Sequence, residues 1–295
     1  MTRETIGFIG LGNIGTPMAD HIAGAGFDMV VHDMAGTASN SFYMERAPKG
    51  AAIGTSTIDV AQRSGTIFLS LPTPDAVAEV TGEIAGCSVG DGVIVVNTST
   101  VDPETAVAAH DRLAAQEIGY VDAAVSGGVL RARDGTLTVI FSGNNAAFAR
   151  LEPVFQAIAE HVFHVSEAPG QAQRMKLLNN YIAGCTMVAN SEALAYGAAS
   201  GLDMKTMLDV INVSSGQNFM SSTWFPRCLL SEVYESWSAA EIIAKDVSLF
   251  VKSAAAEGRS HHVAQATHDV LGAFAAEDPK IDQMRIYEYV RDKQD

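Results

Sequence analysis

Residues 7–20 read GFIGLGNIGTPMAD. Gly10, Gly12 and Gly15 follow the apolar run Thr5–Ile9 and precede residues able to open a helix. A strand that enters such a turn presents bare backbone N–H groups and the positive end of a helix to a pyrophosphate, because no side chains stand in the way. Leu11, Asn13 and Ile14 complete the turn, so residues 10–15 are the expected phosphate-binding segment of a dinucleotide site. A second apolar run, FDMVVH over 27–32, arrives one helix length later and leads into Asp33, eighteen residues beyond Gly15. There a dinucleotide-binding unit places an acid that accepts hydrogen bonds from the adenosine ribose hydroxyls. A carboxylate repels a 2′-phosphate, and Met34, Ala35 and Gly36 add no cation, so the turn reads as a site for NAD rather than NADP.

The rest of the composition bounds the partners. A chain of 295 residues has room for about two domains. Its net charge of −15 opposes nucleic acid and anionic membranes, while a small carboxylate substrate can still bind through local donors. Cys87, Cys185 and Cys228 are odd in number and widely spaced, which suggests neither a disulfide framework nor a zinc site and points to a reducing, cytoplasmic setting. His110, His161, His164, His261 and His262 have no ligand spacing, so no metal is expected. Only four residues precede the first strand, leaving no room for a signal peptide, and no apolar run has membrane-spanning length.

Short β-rich runs alternate with helical stretches up to about residue 165. Strands are expected at Thr5–Ile9, Met29–His32, near Ala52, and at Thr66–Leu69, Val93–Asn97, Tyr120–Asp122, Leu137–Ser142 and Val162–His164. This alternation predicts an α/β Rossmann-like N-terminal domain with a mostly parallel sheet over residues 1–165. From Gln171 to Ala199 there is no proline and no further strand pattern, so an all-helical second domain is expected over 166–295, joined at SEAPGQ.

Open parallel sheets bind ligands beyond the carboxyl ends of their strands. SLPTPDAV (70–77) and VVNTST (95–100) end two strands there, so Leu71, Pro72, Thr73, Ser99 and Thr100 are candidate contacts to the nicotinamide half of a cofactor. DAAVSGG (122–128) joins the Ser126 hydroxyl to the N–H groups of Gly127 and Gly128, a cradle suited to a carboxylate. In GQAQRMKLLNNYIAGCTMVANSEALAYG (170–197) small and apolar residues surround the helix at every angle, which predicts burial on nearly all sides. Lys176 and Asn180 break that pattern one turn apart. Partial desolvation of such an amine lowers its pKa toward a value useful for acid–base chemistry.

These segments, with KDVSLF (245–250), occur in the order found in the 3-hydroxyisobutyrate dehydrogenase family of β-hydroxyacid dehydrogenases, and the chain resembles that family over essentially its whole length. The resemblance implies NAD as cofactor, a cleft between a Rossmann-like and an all-helical domain, and a homodimer or homotetramer formed through the helical part. It implies Lys176 as the proton-transfer group, Asn180 as an orienting group, Ser126, Gly127 and Gly128 on the substrate carboxylate, Lys245 on the substrate or nicotinamide side, and Asp246 orienting its neighbours. The implied reaction passes a hydride between nicotinamide and a small β-hydroxyacid. Related semialdehydes or serine are alternative substrates, and an imine reductase or a non-catalytic NAD-binding module is a more distant alternative.

Gln217, Asn218, Phe219 and Trp224 in NVSSGQNFMSSTWFP (212–226) are candidates to face the remaining substituent of the substrate. Two departures stand out: Ala124 replaces a common proline, and Val129, Leu130 and Arg131 follow the two glycines where small residues are usual. For Arg131 a surface ion pair is expected.

Overall fold

The computed structural model describes residues 4–36 and 41–293, and the chain divides into two compact units, Met1–Lys176 and Leu177–Asp295. The first unit runs β1 (Thr5–Ile9), α1 (Gly15–Gly24), β2 (Asp28–His32), α2 (Ser41–Arg46), β3 (Ala52–Ile53), α3 (Thr57–Arg63), β4 (Thr66–Leu69), α4 (Pro74–Ala85), β5 (Ile94–Asn97), α5 (Pro103–Ala114), β6 (Gly119–Ser126), α6 (Gly128–Asp134), β7 (Leu137–Ser142), α7 (Asn145–Ile158) and β8 (Ala159–Ser166). Its eight strands form one sheet in the order β3-β2-β1-β4-β5-β6-β7-β8. Every neighbouring pair is parallel except β6 with β7, where Asp122 faces Ser142 and Ser126 faces Thr138.

The pattern of burial explains why these runs are strands. Residues of β4 and β5 are buried on both faces, as helices on each side of a parallel sheet require. On one face Phe8 stacks on Phe68, and Phe155 from α7 meets Phe68 and Phe141 edge-on. Ile67, Leu69, Val80, Val95 and Leu113 fill the other face. Helix starts follow local chemistry: Thr73 Oγ1 accepts from the Ala76 N–H at 3.2 Å ahead of Pro74, and Asp102 Oδ1 accepts from the Thr105 N–H at 2.8 Å ahead of Pro103.

The sheet is mostly parallel as the alternation predicts. β6 and β8 are each eight residues long, longer than their apolar cores suggested, because the antiparallel β6–β7 ladder and the β7–β8 ladder carry polar ends such as Ser126 and Ser166 along.

Helix α8 (Gln171–Ala199) spans the division between the units, so Lys176 is the last residue of the first unit. The second unit continues with α9 (Met204–Asn212), a π-helical turn (Met220–Trp224), α10 (Phe225–Leu229), α11 (Ala240–Ala256), α12 (His262–Glu277), a short 3₁₀ turn and α13 (Ile286–Asp292). Met187, Leu194, Phe225, Val247, Leu271, Phe274 and Ile286 lie in its core. The expectation that α8 is buried on nearly all sides fails: Met175, Leu178, Ile182 and Tyr196 are exposed, Tyr196 at 77%. Apolar residues all around a helix do not say which stripe the fold covers, and here one stripe stays outside the core of the single chain.

Candidate active site

In the first unit the glycine turn is built by close backbone approaches. Gly10 has φ +102°, and a Cβ there would stand 2.2 Å from the Ser70 carbonyl oxygen. A Cβ on Gly15 would stand 1.9 Å from the carbonyl oxygen of Gly10. A Cβ on Gly12 would meet nothing within 4 Å. The first and third glycines therefore close the turn, and the second leaves open space beside the N-terminus of α1, whose N-cap Ile14 provides no side-chain cap. Asp33 directly follows β2 and lies against this turn: its Oδ2 accepts from the Leu11 N–H at 2.7 Å and its Oδ1 from the Ala35 N–H at 2.8 Å. Tyr43 Oη accepts from the Asp33 N–H and donates to the Asp33 carbonyl, both at 2.9 Å.

At the neighbouring strand ends, Ser99 Oγ accepts from the Leu71 N–H at 2.8 Å and the Ser99 N–H donates to Asn97 Oδ1 at 3.1 Å. The loops carrying Leu71, Pro72, Thr73, Ser99 and Thr100 are thus tied together, with Thr73 engaged as the cap of α4. Ser126 closes β6, and Gly127 (φ +130°) and Gly128 (φ +70°) turn the chain into α6. A Cβ on Gly127 would lie 2.7 Å from Cδ of Arg131, so the alkyl stem of that arginine packs over the turn. Its guanidinium lies 3.8 Å from Glu160.

Lys176 is 7% exposed and Asn180, one turn further along α8, is 9% exposed. In the second unit Asn180 Nδ2 donates to Asp246 Oδ2 at 2.6 Å, and Asn179 Nδ2 donates to Asn180 Oδ1 at 3.2 Å. Lys245 Nζ lies 2.8 Å from Asp246 Oδ1, off the line of a hydrogen bond, so this contact acts through charge. Asp246, itself buried, therefore joins the buried Asn180 to the partly exposed Lys245. Asn218 is engaged elsewhere: its Oδ1 accepts from Ser221 N–H and Asn190 Nδ2, both at 3.1 Å. Gln217 and Phe219 are exposed, and Trp224 lies 5.9 Å from the Arg227 guanidinium.

A family model described as the NAD binding domain of 6-phosphogluconate dehydrogenase matches residues 5–166, and one described as NAD-binding of NADP-dependent 3-hydroxyisobutyrate dehydrogenase matches 170–290. The 2-(hydroxymethyl)glutarate dehydrogenase of Eubacterium barkeri is 32% identical over 84% of this chain and 81% of its own. The chain belongs to the β-hydroxyacid dehydrogenase family. The NAD-dependent L-serine dehydrogenase of Pseudomonas aeruginosa is 30% identical over 87% of each chain. The fold is shared with a solved Mycobacterium tuberculosis 3-hydroxyisobutyrate dehydrogenase bearing L-serine, with a TM-score of 0.88, 24% identity, and 98% of this chain and 100% of that chain covered.

The first unit of this family member fits NAD: open space at Gly12, an uncapped helix start and an acid at Asp33 are what its diphosphate and ribose need. Sequence reading missed Arg46, whose Nη1 donates to the Leu11 carbonyl at 3.0 Å. It lies thirty-five residues from Leu11 and well beyond the Met34–Gly36 segment that follows Asp33, and α2 brings it there. No helix among the described residues is long and apolar enough to cross a membrane.

Gly12→Ala is expected to leave the thermal unfolding midpoint unchanged, since its Cβ meets no protein atom. It should weaken NAD binding roughly tenfold or more, the scale of about 1–3 kcal/mol for a methyl forced into occupied space. A thermal melt of the free variant checks the first half of the contrast and calorimetric titration with NAD the second.

Proposed function

We propose that this β-hydroxyacid dehydrogenase oxidises a three- or four-carbon hydroxyacid bearing one carboxylate, of the 3-hydroxyisobutyrate type, with Lys176 as the proton-transfer group. The observation that carries the reading is Lys176 itself, an amine buried to 7% exposure on a helix that presents Asn180 one turn later. Bound NAD supplies the hydride acceptor. Lys176 Nζ hydrogen-bonds the reacting oxygen, takes the hydroxyl proton in oxidation and returns it in reduction. Asn180, held by Asp246, orients the substrate, and Ser126 with the N–H groups of Gly127 and Gly128 takes its carboxylate. Lys245 adds positive charge on the same side as Asp246.

A single substrate charge is supported by Arg131. Its side chain is about half exposed and faces Glu160. We assign residues 1–165 to cofactor binding and 166–295 to substrate binding and self-association as a homodimer or homotetramer. The net charge of −15 supports the absence of nucleic acid or an anionic membrane as partner, and the three widely spaced cysteines support a cytoplasmic setting.

Lys176→Ala is expected to lower kcat roughly a hundredfold or more while NAD binding stays near normal. Steady-state kinetics with titration of NAD test this, and a variant with near-normal kcat makes Lys176 a structural residue. Arg131→Ala is expected to change KM by no more than about twofold, the scale of an exposed ion pair. A panel of hydroxyacids in which a dicarboxylic or sulfonated acid prevails by about tenfold, or about 1.4 kcal/mol of transition-state binding, would overturn the choice of substrate.

A further inference from the structure

Behind the strand ends lies a buried polar cluster that the proposed chemistry does not use. Asp122 of β6 is fully buried. Its Oδ1 accepts from Tyr120 Oη at 3.0 Å and Gln173 Nε2 at 3.1 Å, and its Oδ2 from the Gly170 N–H at 2.8 Å and, weakly, Ser142 Oγ at 3.5 Å. Asn97 Nδ2 donates in turn to Tyr120 Oη at 3.1 Å. Burial pushes the Asp122 carboxyl above the usual carboxylate range, against the pull of these hydrogen bonds. It pushes the Tyr120 phenol well up, with the neighbouring Asp122 adding to the effect. A desolvated acid of this kind contributes little net stability, and its hydrogen bonds act chiefly to select one arrangement of the groups around it.

That arrangement is the start of α8. The Gly170 carbonyl accepts from the Arg174 N–H at 3.0 Å, which makes Gly170 the N-cap, and glycine has no side chain to cap with. Its φ of +82° and the Pro103 carbonyl oxygen, 3.1 Å from where a Cβ would stand, call for glycine there. The sheet supplies the missing acceptors: Asp122 takes the Gly170 N–H, and Ser142 Oγ takes the Ala172 N–H at 3.1 Å. Gln173 then fixes the rotation of the helix about its axis. Its Oε1 accepts from the Val101 N–H at 3.1 Å, while its Nε2 donates to the Ser99 carbonyl at 3.0 Å as well as to Asp122. Lys176 follows Gln173 by three residues, on the adjoining position of the same helix face.

We propose that Asp122 is a positioning residue for Lys176, acting through Gln173 and the Gly170 N–H to set the height and rotation of the first turns of α8. The inference rests on the reading of Lys176 as the proton-transfer group. Its test compares wild type, Asp122→Asn, Gln173→Met, the double variant and Lys176→Ala for kcat, hydroxyacid KM, NAD Kd and thermal midpoint.

Each of the first two substitutions is expected to lower kcat roughly tenfold to a hundredfold, the cost of misplacing a reacting group by about an ångström. NAD Kd should stay within about twofold, and the double variant should be no slower than the worse single, because both act through one hydrogen-bonded unit. Folded Asp122→Asn protein with normal kcat overturns the proposal. So does a kcat loss that tracks a loss of NAD affinity, or losses that multiply in the double variant. Should Asp122→Asn not accumulate as folded protein, Gln173→Met, close to glutamine in volume, carries the same comparison. A Lys176→Ala enzyme with near-normal kcat overturns the reading of the lysine and this inference with it, whereas an inactive Lys176→Ala beside a normal Asp122→Asn overturns this inference alone.

Discussion

A helix that starts inside a protein must find partners there for the N–H groups of its first turn, and α8 starts inside the first unit. Ala172 and Gln173 are fully buried, and water is not at hand to satisfy the backbone around them. The sheet meets the requirement with Asp122 from β6 and Ser142 from β7, residues that face each other across the one antiparallel pair. The reversal of β7 thus brings two acceptors to one helix start. Lys176, the sixth residue of α8, is buried as well. A lysine so placed can act at a fixed point, whereas one on an exposed stem would sample many rotamers.

The cofactor turn solves the opposite problem, since there backbone groups must be left available to a ligand. Gly10 and Gly15 let the chain fold onto itself without side chains, and Gly12 leaves room. The carboxylate of Asp33 locks the turn through the Leu11 N–H, and Thr16 Oγ1 and Arg46 both donate to the Leu11 carbonyl. Asp33 therefore shapes the turn itself. A rigid turn lowers the ordering cost of binding a flexible dinucleotide.

Much of this was legible in the sequence because it rests on local signals. Glycine spacing, the acid after the second apolar run, alternating strands and the proline-free run from Gln171 each act over a few residues, and the eight strands and the start of α8 follow from them. Lys176 and Asn180 stood out as polar residues in apolar surroundings, a contrast that survives without coordinates. What was not legible depends on contacts distant in the chain. Asp122 and Gln173 are 51 residues apart and Arg46 and Leu11 are 35 apart, and no local pattern joins either pair. The exposed stripe of α8 escaped for another reason: an all-round apolar helix carries no direction, and only the packing of its neighbours decides which side is covered. Asn218, expected to face the remaining substituent of the substrate, is engaged with Asn190 and Ser221, partners its own stretch of sequence does not reveal.

The central claim is that a hydride passes from the hydroxyl-bearing carbon of a small hydroxyacid to NAD on this protein. The most direct measurement uses 3-hydroxyisobutyrate or a close homologue carrying deuterium on that carbon, with mass analysis of the NADH formed at alkaline pH, where release of a proton favours oxidation. Deuterium recovered in the nicotinamide ring, accompanied by slower turnover than with the unlabelled acid, is the expected result. Formation of no NADH from any small hydroxyacid, or of NADH without the label, would contradict it.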